Sequence, residues 1–536
     1  MRFGRRKFVN NRHPEIITVD ADTPALVLPY PPTIDEKYLY TKTRRVPLYI
    51  CGTLSFLSIT AGMWLFSIST EEFYWRVSFV GLGFIVEFYM LIAYAVGYTG
   101  RDYDLENHNK VITEYATSPG DEPSVDILLP CCGEPLEILE NTYKNIVRLS
   151  YTNFKVHVLD DGGLDTVKKL AESYGFNYIR RENRGYLKKA GNLRHSFNVT
   201  SGDFFVIFDA DFCPRHDFLL EMVPIMRKET DIAIAQSPQF FRPCREQTWV
   251  EQGASSTQEL FYRVIQVNRD RWGAPICVGS NAIYRREALK AVGGTAEIGH
   301  SEDVHTGFFA MTRGWRVKYV PLALARGVSP DTPKAYFSQQ MRWCSGSSAL
   351  LTNPEFWKSN LTIVQKLCFL TGMLYYSAAA LGIFLNPMPG LLMLLFNPEH
   401  IIFYNFFFVI PAMIDSIFIF RLWSRQSYNF NCIFAFVIQQ YAYLMAIKDK
   451  ICGTTALWVP SGDNKAQTGL GKAKGGNNKY RNSRILCAVW VHFTMAATIG
   501  LSTFRILQGY HFYNYIPMLA LDSYTVFATF RFIWTS

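Results

Sequence analysis

Apolar runs long enough to cross a bilayer stand near both ends of this chain and leave a polar middle between them. Residues 48–69 and 77–98 could each cross a hydrocarbon core of about 30 Å as a helix, and Glu87 is the sole charge inside them. The pattern returns at residues 367–385, 401–420, 485–507 and 512–534, which predicts six spans. A seventh run, 430–447, lies between Arg421 and Arg425 on one side and Lys448 and Lys450 on the other. Basic flanks at both ends predict an interfacial helix there. Charged residues are only 18% of the chain, against roughly 25% in globular proteins, because these runs exclude them. Disorder, a collagen repeat and a small disulfide scaffold are ruled out.

Basic residues orient the chain. Arg2, Arg5, Arg6, Lys7, Lys42, Arg44 and Arg45 precede the first span, residues 386–400 carry no Lys or Arg, and residues 421–484 are rich in both. Both termini and the polar middle are therefore predicted to be cytoplasmic. The net charge of +9 is then largely positive-inside charge. No nucleic-acid module accompanies it, so a nucleic-acid partner is not expected. The eleven cysteines show neither metal-ligand spacing nor a disulfide framework and read as reduced thiols. No cleavable signal follows the basic start, so the first apolar run is expected to stay as an anchor.

Between residues 101 and 333, short β-branched or apolar runs alternate with polar helical stretches. Strands are predicted at residues 125–130, 155–162, 204–211, 232–236 and 315–320, giving an α/β domain with a mostly parallel sheet. Ligands of such sheets sit beyond the carboxyl ends of the strands, where two of these strands carry acidic clusters. The first is Asp160 and Asp161, followed by Gly162 and Gly163; a solvated turn has the same letters. The second is Asp209-Ala210-Asp211. Residues two apart on an extended chain project to one side, so both carboxylates can face one hard divalent cation, although Asp-x-Asp also arises by chance. Ser301-Glu302-Asp303 forms a third cluster, which alone also describes an ion pair. Gln339-Gln340-Met341-Arg342-Trp343 precedes the third span, where a snorkelling arginine and an aromatic anchor would look alike.

In this order, with apolar runs before and after, the four motifs resemble those of the processive family 2 glycosyltransferases that make extracellular polysaccharides. SEDVHTGFFAMTRGW and FDADFCPR are most similar to cellulose synthases and cellulose synthase-like enzymes. The resemblance implies a GT-A α/β domain joined to a transmembrane helical bundle, inverting transfer from a UDP-sugar, a divalent cation (Mg or Mn), and a channel through which the protein secretes its own chain. Carried over residue by residue, Asp160 and Asp161 would hold the uridine, Asp209 and Asp211 the nucleotide and metal, and Lys189 would lie near the nucleotide. Gln339 and Arg342 would meet the donor diphosphate, and Asp303, beside Glu302, would be the general base. Trp343 would stack on the acceptor sugar, Gln236, Ser237 and Pro238 would line its path, and Cys277, Gly279 and Ser280 would form a small-residue turn near the terminal sugar. Trp458, Pro460, Ser461 and Gly462 resemble a gating loop over the donor.

Elementary chemistry agrees with these roles. A hydroxyl is a poor nucleophile until a carboxylate takes its proton, a gain of about 10²- to 10⁴-fold. A departing diphosphate needs cationic groups, and a sugar's C–H face packs on an aromatic plane while remaining free to slide.

The expected layout is a basic segment (1–46), two spans (47–99), the catalytic domain (100–333), interface helices with QQMRW (334–365), spans three and four (366–422), an interface helix and gating loop (423–484), and two last spans (485–536). The expected partners are a UDP-sugar, the nascent polysaccharide and membrane lipid. The expected place is the plasma membrane, or the Golgi. The expected product is a β-linked glucan made from UDP-glucose. A chitin- or hyaluronan-type synthase using UDP-N-acetylglucosamine, a lipid-directed non-processive transferase and a non-enzymatic channel are the alternatives.

Overall fold

Short runs of β-branched and aromatic residues become the strands of the polar middle, because such side chains pack well on a pleated surface. The computed structural model describes residues 15–17, 26–69, 72–453 and 476–535. In chain order the strands are β1 (Glu15–Ile17), β2 (Leu26–Leu28), β3 (Val125–Cys131), β4 (Phe154–Asp160), β5 (Asn177–Ile179), β6 (Phe204–Ile207), β7 (Cys213–Pro214), β8 (Ile232–Gln236), β9 (Ala282–Arg285), β10 (Arg316–Tyr319) and β11 (Ala325–Arg326). Seven of them form one sheet in the order β10-β8-β9-β6-β3-β4-β5, parallel except for β9, which runs against both β6 and β8. All five strands read from the sequence are present. β5 and β9 complete the sheet and are not among the strands predicted from sequence.

Both faces of the sheet are covered, which is why its strands read as continuous apolar runs. Phe204 and Val206 of β6 join Val125, Ile127 and Leu129 in one layer, while Phe205 and Ile207 join Leu128 and Tyr284 in the other. At the amino-terminal edge Asp126 accepts from Gly202 N at 2.6 Å and Arg286 Nη2 at 2.9 Å and pairs with His157 Nε2 at 3.0 Å. This lock leaves the carboxyl edge free for function.

Helices long and apolar enough to cross a membrane cover Arg45–Ser69, Ile363–Phe396, Asn429–Ile451, Asn478–Leu507 and Phe512–Trp534, and the helix Phe73–Tyr98 contains a shorter apolar stretch, Gly83–Tyr98. They make the chain an integral membrane protein. Two expectations need correction. Residues 401–420 are not one helix: turns of 3-10 and π geometry at Phe403–Phe408 and Asp415–Ile419 flank a short helix, Ile410–Ile414, whose early Pro411 cannot donate to a preceding turn. The run read as an interface helix is, by length and composition, also long enough to span. Yet 56% of its apolar window is buried, against 17–28% for the others, and its Gln439 and Tyr443 bond Tyr336 and Gln340 of the helix Pro333–Ala349. It is wedged between the domain's helices and the bundle. Its basic flanks serve packing: Arg421 lies over the Phe430 ring at 4.1 Å and Lys450 Nζ donates to Ser348 O at 2.9 Å.

The segment before the first long helix is tied to the sheet domain. Lys37 Nζ pairs with Asp217 at 2.8 Å and with Glu221, Tyr40 Oη donates to Glu259 at 2.6 Å, and Thr43 Oγ1 donates to Asp102 at 2.6 Å. The N-terminal segment and the domain therefore lie on the same side of the hairpin formed by the first two apolar helices. Lys37 is 3% exposed, and removing one partner of a buried ion pair costs about 3–5 kcal/mol. Lys37→Met should therefore lower the apparent unfolding temperature of the purified protein by several degrees; an unchanged temperature would show that this anchor carries no stability.

Candidate active site

In a parallel sheet the loops at the carboxyl ends emerge side by side, and register decides which acids meet. Cys131 of β3 pairs with Asp160 of β4, and Leu128 of β3 with Ile207 of β6. The turns carrying Glu134, Asp161 and Asp209-Ala210-Asp211 thus converge on one cavity of about 1280 Å³. Glu302 and Asp303 enter it from the start of the helix Glu302–Thr312, and Gln339, Gln340, Arg342 and Trp343 from the helix Pro333–Ala349. Those two helices touch closely: His305 Nε2 lies 3.2 Å from Gly346 O, and a Cβ on Gly346 would fall 2.1 Å from Ser301 Oγ. The acids and the QQMRW motif, far apart in sequence, are thereby held around one space.

Charges in the cavity are arranged by sign. Lys189 Nζ donates to Asp209 Oδ1 at 2.5 Å. Burial opposes its charge, yet Asp209, Glu302 and Asp303 together raise its pKa. Burial, then the charge of Asp209, pushes the Asp211 carboxyl up to about 7. Burial, then Glu302, pushes Asp303 up to about 7 against the pull of Lys189. Opposite them stand cations. Burial lowers Arg342 to about 10, and burial with the nearby Arg342 lowers Lys188 to about 8. His300 falls to about 4 through burial, Lys188 and Arg342. This side of the cavity is electrostatically prepared for an anion.

Asp160 and Asp161 are differently placed. Asp160 is fully buried and accepts from Tyr178 Oη and Leu164 N, each at 2.8 Å, outside the cavity lining. Asp161 does reach the cavity and is held by Arg181 through bonds of 2.6 and 2.5 Å. Gln236, Ser237, Pro238, Cys277, Gly279 and Ser280 do not line the cavity either; they build the support beneath it. Gln236 accepts from Val278 N at 2.9 Å and donates to Ser280 O at 2.7 Å, and Ser280 Oγ accepts from Asp209 N at 3.0 Å. Gly279, at φ +76°, runs so near Asp303 that a Cβ would sit 2.9 Å from its Oδ2. Trp458, Pro460, Ser461 and Gly462 lie outside the described residues. Sequence reading missed Lys188, His300 and Glu134, which border motif residues and whose signal is only their adjacency to Lys189, Ser301 and the end of β3.

A divalent cation fits one corner. Asp209 and Asp211 are hard oxygen donors, and the charge of Asp209 disfavours that of Asp211. Among the described residues no group of three or more metal-type side chains occurs.

Residues 126–293 match the family described as Glycosyl transferase family 2. These residues form a family 2 glycosyltransferase domain. The match, with one antiparallel strand set into the parallel sheet, places the domain in the GT-A class. The chain is 32% identical over 310 residues to a cellulose synthase catalytic subunit (UDP-forming) of Pseudomonas fluorescens, covering 56% of this chain and 41% of that protein. A Komagataeibacter xylinus counterpart is 30% identical over 340 residues, covering 62% and 45%. The chain thus spans less than half the length of these relatives. A solved mannosyltransferase from Pyrobaculum calidifontis is 14% identical with a TM-score of 0.48, covering 69% of this chain and 100% of that one.

In the glycosyltransferase domain Gly279→Ala should be damaging without unfolding the sheet. Displacing a group that reacts costs on the order of 10²-fold per 1 Å or so, so a catalytic role for Asp303 predicts a fall in turnover of about that factor while UDP affinity, measured by calorimetry, stays within about twofold of wild type. Full turnover would mean that Asp303 does not need its present position.

Proposed function

We propose that this protein is a membrane-embedded, processive, inverting glycosyltransferase that polymerises a UDP-sugar, UDP-glucose in the first instance, into a β-linked glucan and passes it into its own helical bundle. The observation that carries the reading is the single cavity: its acids and cations stand at one end, and it continues between helices where Tyr49, Tyr89, Thr371, Tyr375, Tyr376 and Tyr443 line it. A pocket for a small acceptor has no use for that extension. The similarity to UDP-forming cellulose synthase subunits supports the donor class and the product.

In this mechanism the Asp303 carboxylate accepts the proton of the acceptor hydroxyl, whose oxygen forms the new bond to the anomeric carbon as the bond to UDP breaks. The electron pair leaves on the diphosphate, where Arg342 and Lys188 meet the growing charge. A divalent cation held by Asp209 and Asp211 would add Lewis-acid stabilisation of that leaving group. Trp343 presents an aromatic plane to the acceptor ring. Attack opposite the departing UDP of an α-linked donor yields a β-linkage. The cytoplasmic side for the domain, following from the basic flanks, places donor use on the side where UDP-sugars are made.

Asp303→Asn should bind UDP yet make no polymer, with UDP release at least about 10²-fold below wild type. A base must be unprotonated: with the Asp303 pKa raised to about 7, kcat/KM should rise through pH 7 and fall about tenfold per unit below it. A flat profile from pH 6 to 8 would remove Asp303 from this role. The direct test is polymer formation in nanodiscs from a panel of labelled UDP-sugars, followed by linkage-specific digestion. Polymer from UDP-N-acetylglucosamine alone would replace the glucan reading by a chitin- or hyaluronan-type one.

A further inference from the structure

Arg269 is a fully buried guanidinium in the short helix Gln266–Asp270, and it lines the cavity where the domain meets the membrane helices. One of its nitrogens, Nη2, donates to Thr371 Oγ1 at 2.8 Å; Nε and Nη1 are enclosed with no hydrogen-bond partner among the described residues. The groups that act on it electrostatically are Cys368, Tyr89 and Tyr376, and no carboxylate is among them. The backbone comes close as well, since a Cβ on Gly372 would lie 3.0 Å from Nη2. Next to it Asn268 donates to Tyr49 Oη at 2.9 Å and leaves its Oδ1 buried and unpartnered. An enclosed cation without a counter-charge is costly and persists where it meets a ligand.

Position says which ligand. Arg269 meets Thr371 and Gly372 of the long apolar helix Ile363–Phe396, so it stands on the membrane-helix side of the cavity. Unpartnered donors on Arg269 beside an unpartnered acceptor on Asn268 match a hydroxyl, which both donates and accepts. An anionic polymer would be gripped by a buried guanidinium at every unit and would stall. Neutral sugar hydroxyls exchange partners as the chain advances.

We propose that Arg269, with Asn268, forms a hydrogen-bonding collar for the hydroxyls of the nascent neutral polysaccharide as it leaves the transfer site, which rests on the polymerase reading above. It is a positioning residue, set on the membrane-helix side of the cavity.

The test measures kcat/KM for soluble β-glucan oligosaccharide acceptors of increasing length, with the full-length protein in nanodiscs. Wild type should show a step in kcat/KM at the length that reaches Arg269. Arg269→Leu should lose that step, so that the ratio of long to disaccharide acceptor falls about tenfold, the size of one charged hydrogen bond. Arg269→Lys should keep part of the step, and Thr371→Val, which removes only the anchor, should keep most of it. Equal losses at every length, or Thr371→Val reproducing Arg269→Leu, would reduce Arg269 to packing and overturn the collar. Wild type that elongates acceptors with no length step would overturn the collar and leave the transferase reading intact. Wild type that transfers to no acceptor from any UDP-sugar would overturn the polymerase reading and the collar with it.

Discussion

The whole site rests on how near one helix can come to one turn. Gly346 lets the helix Pro333–Ala349 lean against His300 and Ser301, because any side chain there would collide with Ser301. Everything that follows Ser301, including the carboxylates of Glu302 and Asp303, is thereby fixed relative to Arg342 and Trp343, which sit one turn back along the same helix. Gly279 repeats the device on the other side of Asp303, where a positive φ and the lack of a Cβ let backbone pass beside the carboxylate. A carboxylate held between two such approaches has little freedom to drift.

Charge separation across the cavity is the second constraint. Carboxylates gather on the turns after β3, β4 and β6 and at the start of the helix Glu302–Thr312, and Lys188, Lys189 and Arg342 stand among them. Like charges that crowd each other raise the free energy of the site, and a ligand that brings the opposite sign to each cluster relieves that strain. Stability and function pull in opposite directions here. The Asp126, His157 and Arg286 lock at the far edge of the sheet is fully paired and bears no such strain.

Much of this was legible in the sequence, for reasons that differ from residue to residue. The strands carrying Asp160, Asp209 and Gln236 are long apolar runs, and acids at their ends are conspicuous. The convergence of Ser301-Glu302-Asp303 with QQMRW came from resemblance to a family, since nothing in spacing says that residues 303 and 342 meet. Gln236 and Ser237, which the sequence places along the acceptor's path, and Cys277 and Ser280, which it places near the terminal sugar, stand outside the cavity lining and carry the turn beside Asp303: a buried small or polar residue looks the same in sequence whether it touches ligand or backbone. The broken run at 401–420 kept its apolar composition and lost only its regular hydrogen bonding, which composition does not report. Arg269 was invisible because an arginine beside Asp270 and Arg271 reads as surface charge, and only its burial sets it apart.

The N-terminal segment carries a consequence for how the molecule is built. Leu26 and Val27, from β2, line the same cavity as residues of the sheet domain, yet the two apolar helices of the first hairpin lie between them in the chain. During synthesis one wall of the pocket emerges first, then a hairpin that must enter the bilayer, and only afterwards the rest of the pocket. The cavity can be completed only when that hairpin has returned the chain to its starting side. A competent site is then a readout of a completed hairpin, and a chain in which one of the two helices fails to cross leaves the walls of the pocket on opposite faces of the membrane.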